Sequence, residues 1–578
     1  MLRKLVSSRF LFFYAVLSIA LPNVSLAFTE HMPFWACLAN VVLPMGIYAL
    51  LMSLSRKVGR QVWFMFPLIF FAAFQMVLLY LYGRSVIAVD MFLNLVTTNP
   101  GEALELLDNL VPAVAGVVVV YVPLLTLATV AICRKQCLQK TFLSTMRRLS
   151  LCAIVVGLLL VGICYTAYPR SEESAFQYRA EDHLYPLNVG YNLCLAFHES
   201  SLANSYQAKV AQWHFGARSS HPADSAEVYV LVIGETARAQ NFQLYGYNRP
   251  TNPRLSKCQG LCVFQHVLSQ SNTTHKSVPM LLSAASATDH SRLYEERSLI
   301  SAFREAGFHT TFLSNQQPNH SFIDFFGAEA HDFVFIRDDV KSASTTSDAA
   351  DEAHSDLNLL PYLERILAAH RQRELIVVHT YGSHFNYRDR YSRRDAFFMP
   401  DSPTEAKPSN RPSLVNAYDN SLRVTDRLLA DIIAMLDKRG CQAAMLYTSD
   451  HGENIFDDHR ERFLHASPVP SAHDIRVPLI VWTSTAYRQH YSPLVKAMHD
   501  NRLKDVESSR SVFPTMLSLA GITSPKIIDV MPFALTDKAY ASPHHRHYLD
   551  DHNRAVTLRQ VGLGEEDFEM LNKWGLAE

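Results

Sequence analysis

The sequence lacks any excess of charge. Its 53 Lys+Arg and 54 Asp+Glu leave a net charge of −1 over 578 residues, so nothing points to a nucleic-acid partner. It also lacks an internal repeat. Basic residues are nearly missing from two of the connections between its apolar runs, where only Arg84 is found. That absence carries information, because the first ~170 residues are overwhelmingly apolar and the remainder reads as an ordinary soluble chain.

Five apolar runs are long enough to cross a bilayer, which needs roughly 20 residues: about 10–27, 36–54, 62–81, 113–132 and 149–168. The first ends in Ser25-Leu26-Ala27, which could pass for a signal-peptide cleavage site, but four further runs favour a retained anchor. Arg3, Lys4 and Arg9 precede the first run. Arg56, Lys57 and Arg60 separate the second and third, and Arg134, Lys135, Lys140, Arg147 and Arg148 the fourth and fifth. Positive charge stays inside, so the N-terminus is expected in the cytoplasm and everything after residue 168 outside, which in a bacterium is the periplasm.

Cysteine is scarce outside the apolar part. Cys37, Cys133, Cys137, Cys152 and Cys164 lie in or beside the runs, leaving Cys194, Cys258, Cys262 and Cys441. Cys258 and Cys262 are close enough to pair across a turn in an oxidising compartment. A cysteine zinc site is the alternative, but no second close pair supports it.

Three domains are expected: 1–168 transmembrane with an outer loop at 83–111, 169–226 as interfacial segments ending in a linker at 218–226, and 227–578 as the catalytic domain. In the outer loop Asn94, Thr98 and Glu102 recur every four residues and would share one helix face; a plain solvated amphipathic helix is the alternative. Beyond 227, short apolar runs at 228–233, 263–267, 309–313, 374–379, 443–447 and 478–482 alternate with helical stretches at 298–306, 356–369, 413–437 and 511–520. This predicts an α/β fold with a mostly parallel sheet flanked by helices, whose ligands bind at the carboxyl ends of the strands.

The chemistry gathers at those ends. VYVLVIGET (228–236) delivers Glu235, and Met445-Leu-Tyr-Thr-Ser449 delivers Asp450 and His451, with Gly452 allowing a sharp turn. Carboxylate and imidazole ligands suit a divalent metal, most plausibly zinc. Thr274 lies where a polar stretch meets a helical one, so its hydroxyl would sit at a helix N-terminus, and metal coordination would make it a competent nucleophile. Thr273 or Thr274 as a plain N-cap is the competing reading. His384 and His465 flank the metal segments.

These residues resemble the bacterial phosphoethanolamine transferases, inner-membrane relatives of the sulfatases and alkaline phosphatases that modify lipid A, where they underlie polymyxin resistance, or lipopolysaccharide core. The resemblance runs over essentially the whole chain. GETARAQNFQLYGYNRPTNP (234–253) is similar to the family's opening motif, NAYDNSLRVTD (416–426) to its long helix, SDHGE (449–453) to its metal motif and Leu464-His465 to its later histidine. The resemblance implies a sulfatase-like periplasmic domain on a five-helix membrane domain. It implies zinc bound by Glu235, Thr274, Asp450 and His451, and Thr274 as the residue transiently modified by phosphoethanolamine. His384 and His465 would lie by the transferred phosphate, with the capacity to bind a second zinc. Asn94, Thr98 and Glu102 would hold the ethanolamine lipid. Phosphatidylethanolamine is the implied donor, lipid A or lipopolysaccharide core the acceptor, and a monomer the expected form. Departures exist: Ser271-Asn272 and Met280 stand where lipid A-type enzymes have cysteines, and no lysine in 315–320 aligns with the family's phosphate-binding one. They bear on the acceptor. Transfer of phosphoglycerol to a polymer or glucan is the nearest rival, and a catalytically dead lipid-binding protein a more distant one.

Overall fold

The structure, a computed structural model, describes residues 7–30, 32–82, 86–92, 100–169, 176–319, 321–337 and 354–576. It divides into two compact units, the first built largely from Met1–Val96 and Leu106–His198, the second from Glu199–Glu578.

The first unit is helical: α1 (Ser8–Thr29), α2 (Phe34–Met52), α3 (Val58–Phe64), α4 (Phe66–Tyr82), α5 (Pro100–Cys133) and α6 (Lys140–Ala167). Four helices are long and apolar enough to cross a membrane, and α3 with α4 makes a fifth candidate. That candidate, read from the sequence as one run at 62–81, is bent by 60° between the two helices. The cause is Pro67 at the start of α4, which has no N–H to give and disfavours helix at the residue before it. Helices α2 and α6 meet closely because Gly157 has no side chain: a Cβ there would lie 2.6 Å from Leu43 Cα. Small residues at such crossings replace the hydrophobic drive that lipid does not provide. Outward-facing residues stay apolar, Val119 at 71 % and Leu159 at 63 % exposure, as a lipid-facing surface requires. Asn94 and Thr98 lie outside the described residues. Glu102 falls in the first turn of α5.

The second unit begins in α7 (Leu187–Lys209). Tyr206 of this helix stacks among Phe322, Phe325 and Phe326, and its hydroxyl donates to Glu329 at 2.9 Å. The expected linker at 218–226 is not free-running. Arg218–Ser219 pairs antiparallel with Ile522–Thr523, and His221 is buried against Glu227, 3.1 Å away.

A seven-stranded sheet forms the centre. In chain order its strands are β1 (Glu227–Gly234), β2 (Leu261–Phe264), β3 (His309–Ser314), β4 (Asp332–Phe335), β5 (Arg373–His379), β6 (Gln442–Ser449) and β7 (Leu479–Thr483). Their spatial order is β2-β7-β6-β1-β5-β3-β4, and β7 alone runs against the rest. The mostly parallel sheet read from the sequence is therefore present. Every residue of β1 is buried. Tyr229, Leu231 and Ile233 pack with Leu281, Phe303 and Phe513 of the flanking helices, while Val228, Val230 and Val232 are equally buried on the other face. Such two-sided burial is why the strand reads as a continuous apolar run. The edge strand β4 escaped the sequence reading because its four residues are only partly buried.

Cys258 and Cys262 do not form the expected disulfide; both are free thiols. Cys262 lies in β2 with its thiol on the Met498 carbonyl at 3.5 Å, whereas the Cys258 thiol turns to Arg254 O at 3.6 Å. The strand has claimed one of them for the core.

Candidate active site at the carboxyl ends of the strands

Strands β1 and β6 are in register with Gly234 opposite Ser449, so Glu235 and Asp450 leave the sheet side by side. Thr236 follows with φ of +63°, a left-handed conformation that is costly for a β-branched residue. It is held by three hydrogen bonds. Its N–H donates to Asp450 Oδ1 at 3.1 Å, its hydroxyl to Glu235 Oε1 at 2.8 Å, and its carbonyl accepts from the Tyr418 hydroxyl at 2.7 Å. Gly382 packs over this turn, where a Cβ would come within 3.0 Å of the Glu235 side chain and closer still to its backbone. Gly452 has a different task from the one expected of it. It is absent from the positive-φ residues, and it is needed because a Cβ there would run into the His473 carbonyl oxygen; its N–H donates to the neighbouring Asp474 carbonyl at 2.6 Å.

Thr274 is the first residue of α8 (Thr274–Leu282), and neither it nor Thr273 caps the helix through its side chain. The Thr273 hydroxyl bonds to Ser271 instead. The Thr274 hydroxyl lies 3.3 Å from both Glu235 oxygens and 3.2 Å from His451 Nε2. That imidazole is oriented by its other nitrogen: Nδ1 donates to the Gly452 carbonyl at 2.9 Å, which turns the Nε2 lone pair inward. Nε2 is then 3.1 Å from Asp450 Oδ2 and 3.4 Å from Glu235 Oε1. The structure thus brings together Glu235, Thr274, Asp450 and His451.

These groups lack a counter-charge. Glu235 and Asp450 have no Lys or Arg partner among the described residues; His451 is their only ion-pairing neighbour. Burial, and then the Asp450 charge, push the Glu235 carboxyl up to about 7. Burial pulls His451 down, but Asp450 and Glu235 outweigh it and leave its pKa raised. Buried carboxylate oxygens and an imidazole nitrogen converging without a resident cation are the donor set of a divalent metal such as zinc, and Glu235, His451 and His465 form a cluster able to hold an ion.

His465 stacks on His451 with ring centroids 4.1 Å apart, and its Nδ1 lies 3.3 Å from Glu453 Oε1. His384 is 6.0 Å from His465, ring to ring, and its Nδ1 donates to the Phe385 carbonyl at 2.7 Å. Burial lowers His384 to about 4 and His465 well below the usual imidazole range. Both are therefore neutral proton acceptors at neutral pH. His379, also at a strand end, turns to Ser314 at 3.2 Å and stays in the core.

Sequence reasoning gave no separate role to three polar neighbours. The Gln316 amide donates to Glu235 Oε2 at 3.2 Å and to Thr380 O at 2.9 Å. The Ser277 hydroxyl lies 3.4 Å from Asp450 Oδ2, and Glu453 backs His465. Gln316 was within reach of the same reasoning that found Glu235, because it follows the end of β3.

A half-buried threonine hydroxyl thus faces a carboxylate–imidazole cluster able to hold a metal ion, at the carboxyl ends of the strands of a mostly parallel α/β sheet. Residues 227–522 match the Sulfatase family model, and the chain belongs to the sulfatase family. It is 27 % identical over 313 residues to the Kdo(2)-lipid A phosphoethanolamine 7''-transferase of Salmonella typhimurium, covering 53 % of each chain. The chain thus spans about half the length of the curated relatives it matches. The integral membrane lipooligosaccharide phosphoethanolamine transferase A of Neisseria meningitidis shares its fold, with a TM-score of 0.67 at 21 % identity over 89 % of this chain and 97 % of that one. The C-terminal periplasmic domain of EcEptC from Escherichia coli, solved in complex with Zn, aligns with a TM-score of 0.52 at 20 % identity over 61 % of this chain and 97 % of that one.

Proposed function

We propose that the chain transfers phosphoethanolamine from phosphatidylethanolamine to a cell-envelope glycolipid, lipid A or lipopolysaccharide core, with Thr274 carrying the group between them. The observation that bears most weight is the Thr274 hydroxyl, aimed at Glu235 and His451 instead of capping its own helix. Relatives named as phosphoethanolamine transferases support the same reading.

Glu235, Thr274, Asp450 and His451 would hold a zinc ion, which when bound lowers the hydroxyl pKa and offsets charge on the phosphoryl oxygens. Thr274 Oγ1 attacks phosphorus, the bond to the diacylglycerol oxygen breaks, and the threonine proton ends on that oxygen. His465 or His384 carries the proton, because each is neutral and faces the cluster. In the second step the same histidine takes the proton of the acceptor group as its oxygen attacks phosphorus, the bond from phosphorus to Thr274 Oγ1 breaks, and that proton is returned to Oγ1. The pair is also the place for a second ion. Asn94, Thr98 and Glu102 hold the donor lipid, and the basic N-terminal segment with the two basic connections keeps the N-terminus cytoplasmic and the catalytic domain, 227–578, periplasmic.

Mass spectrometry of lipid A and core from cells with and without the protein tests this. Added phosphoethanolamine that depends on Thr274 supports it. Glycolipids unchanged by the protein, or phosphoglycerol added in place of phosphoethanolamine, count against it.

A further inference from the structure

We infer that Asn272 is a positioning residue: a buried amide that sets His465 against Thr274 by tying together the two loops that carry them. The inference rests on the role proposed above for His465. Asn272 is 2 % exposed, two residues before Thr274, and each of its polar groups is engaged. Its Nδ2 donates to the Ser467 carbonyl at 2.9 Å, and its carbonyl accepts from the Ala466 N–H at 3.2 Å. Those partners are the two residues that follow His465. Its Oδ1 accepts from the Tyr548 hydroxyl at 2.7 Å, and its N–H donates to the same oxygen at 3.1 Å.

The His465 loop needs such support. Leu464 and Ala466 have φ of +65° and +61°, a left-handed backbone on both sides of the histidine, which residues with a Cβ adopt only when neighbours hold them there. On one side Phe463–Leu464 pairs with Asn454–Ile455. On the other, Asn272 makes the contacts just given. Tyr548 in turn belongs to a hairpin of His547–Leu549 with Ala555–Thr557. The same hairpin bonds the nucleophile segment twice more: Leu549 N–H donates to Gln270 O at 2.8 Å, and Lys276 Nζ to Asp550 O at 3.1 Å. Segments nearly 200 residues apart, carrying the nucleophile and the histidine, are thereby held as one body. Among the described residues none of the hydrogen bonds of Asn272 reaches the cage itself, so its effect on turnover must pass through His465.

The test is a double-mutant cycle on the full chain in lipid, following transfer to acceptor. Asn272→Ala is expected to cost roughly 100-fold in kcat, the size of a misplacement of about 1 Å, with the KM for donor lipid little changed. Combined with His465→Ala it should add almost nothing to the loss from His465→Ala alone, whereas a merely structural defect would multiply with it. Asn272→Asp keeps the size but loses the Ser467 bond and should match Asn272→Ala. Tyr548→Phe, which keeps the ring, should give a smaller loss in the same direction and covers the case in which Asn272→Ala folds poorly. Multiplying losses in the double variant overturn the inference. A His465→Ala enzyme at the wild-type rate would overturn the proposed role of His465 together with it.

Discussion

The same two segments build two buried carboxylate sites of opposite character. Glu235 from the end of β1 and Asp450 from the end of β6 form one. Three residues after Glu235, Arg238 reaches Asp457, seven residues after Asp450, and forms the other at 2.7 Å. Both are buried. In the second, burial alone would raise the Asp457 carboxyl, but the Arg238 guanidinium outweighs it and holds the acid far below its ordinary range; Arg238 also bonds Asn241 at 2.7 Å and Glu453 O at 3.0 Å. In the first there is no guanidinium and the Glu235 carboxyl is pushed up. A buried acid with its own cation is a fixture of the fold. Buried acids gathered without one, beside an imidazole, are a candidate site for a metal ion. The difference separates the candidate metal site from the many other acidic groups in the chain, including the exposed cluster of Asp458, His459 and Glu566.

The comparison can be broken in several ways. The largest effect is expected from Thr274→Ala, which removes the hydroxyl lying between Glu235 and His451: transfer should fall by on the order of 10⁴-fold or more, measured with labelled donor lipid. Chelation comes next. Stripping divalent metal should lower turnover at least about 100-fold, with recovery on adding zinc, and the metal content of the purified protein gives an independent check.

Two substitutions then set the sites directly against each other. Asp457→Asn leaves the Arg238 guanidinium buried and unpaired and should cost about 4 kcal/mol in denaturant unfolding. Because the folded-state pKa of Asp457 is depressed, that contribution is fully present above the ordinary 3.8 and is lost as pH falls further. Glu235→Gln should do the reverse in metal-free protein. The folded-state pKa is raised from 4.5 to about 7, so the folded state binds the extra proton across that window and wild-type stability falls relative to the variant as pH rises through it, by roughly 3 kcal/mol at most. Zinc should abolish this advantage. A Glu235→Gln protein destabilised without metal would erase the distinction between the two sites. The smallest effect belongs to Cys258→Ser, expected within about 0.5 kcal/mol of wild type with or without reductant, since the thiol is in no disulfide and a serine hydroxyl can keep its bond to the Arg254 carbonyl.

Much of this was legible in the residues because the signals were local. The apolar runs, the alternation beyond residue 227 and the acids at the strand ends each occupy a short stretch whose physics does not depend on what lies across the fold. Helix α9 (Arg411–Arg439) was placed within two residues at each end for the same reason. What stayed hidden depends on distant partners. Pro67 bends a run that hydropathy alone joins. Gly452 is required by the close approach of the His473 carbonyl, not by its own φ. Gln316 and Asn272 matter through contacts to Glu235 and to Ser467 and Tyr548, up to 276 residues away. Cysteines four apart look paired until a strand takes one of them.

The central claim is that the cage at the ends of β1 and β6 makes Thr274 the carrier of the transferred group. Its most direct test is peptide mass spectrometry of the zinc-loaded protein after exposure to phosphatidylethanolamine without acceptor. The account predicts one phosphoethanolamine on the peptide containing Thr274, lost in Thr274→Ala and discharged when acceptor is added. Turnover that persists in Thr274→Ala, or the modification found on another residue, would contradict it.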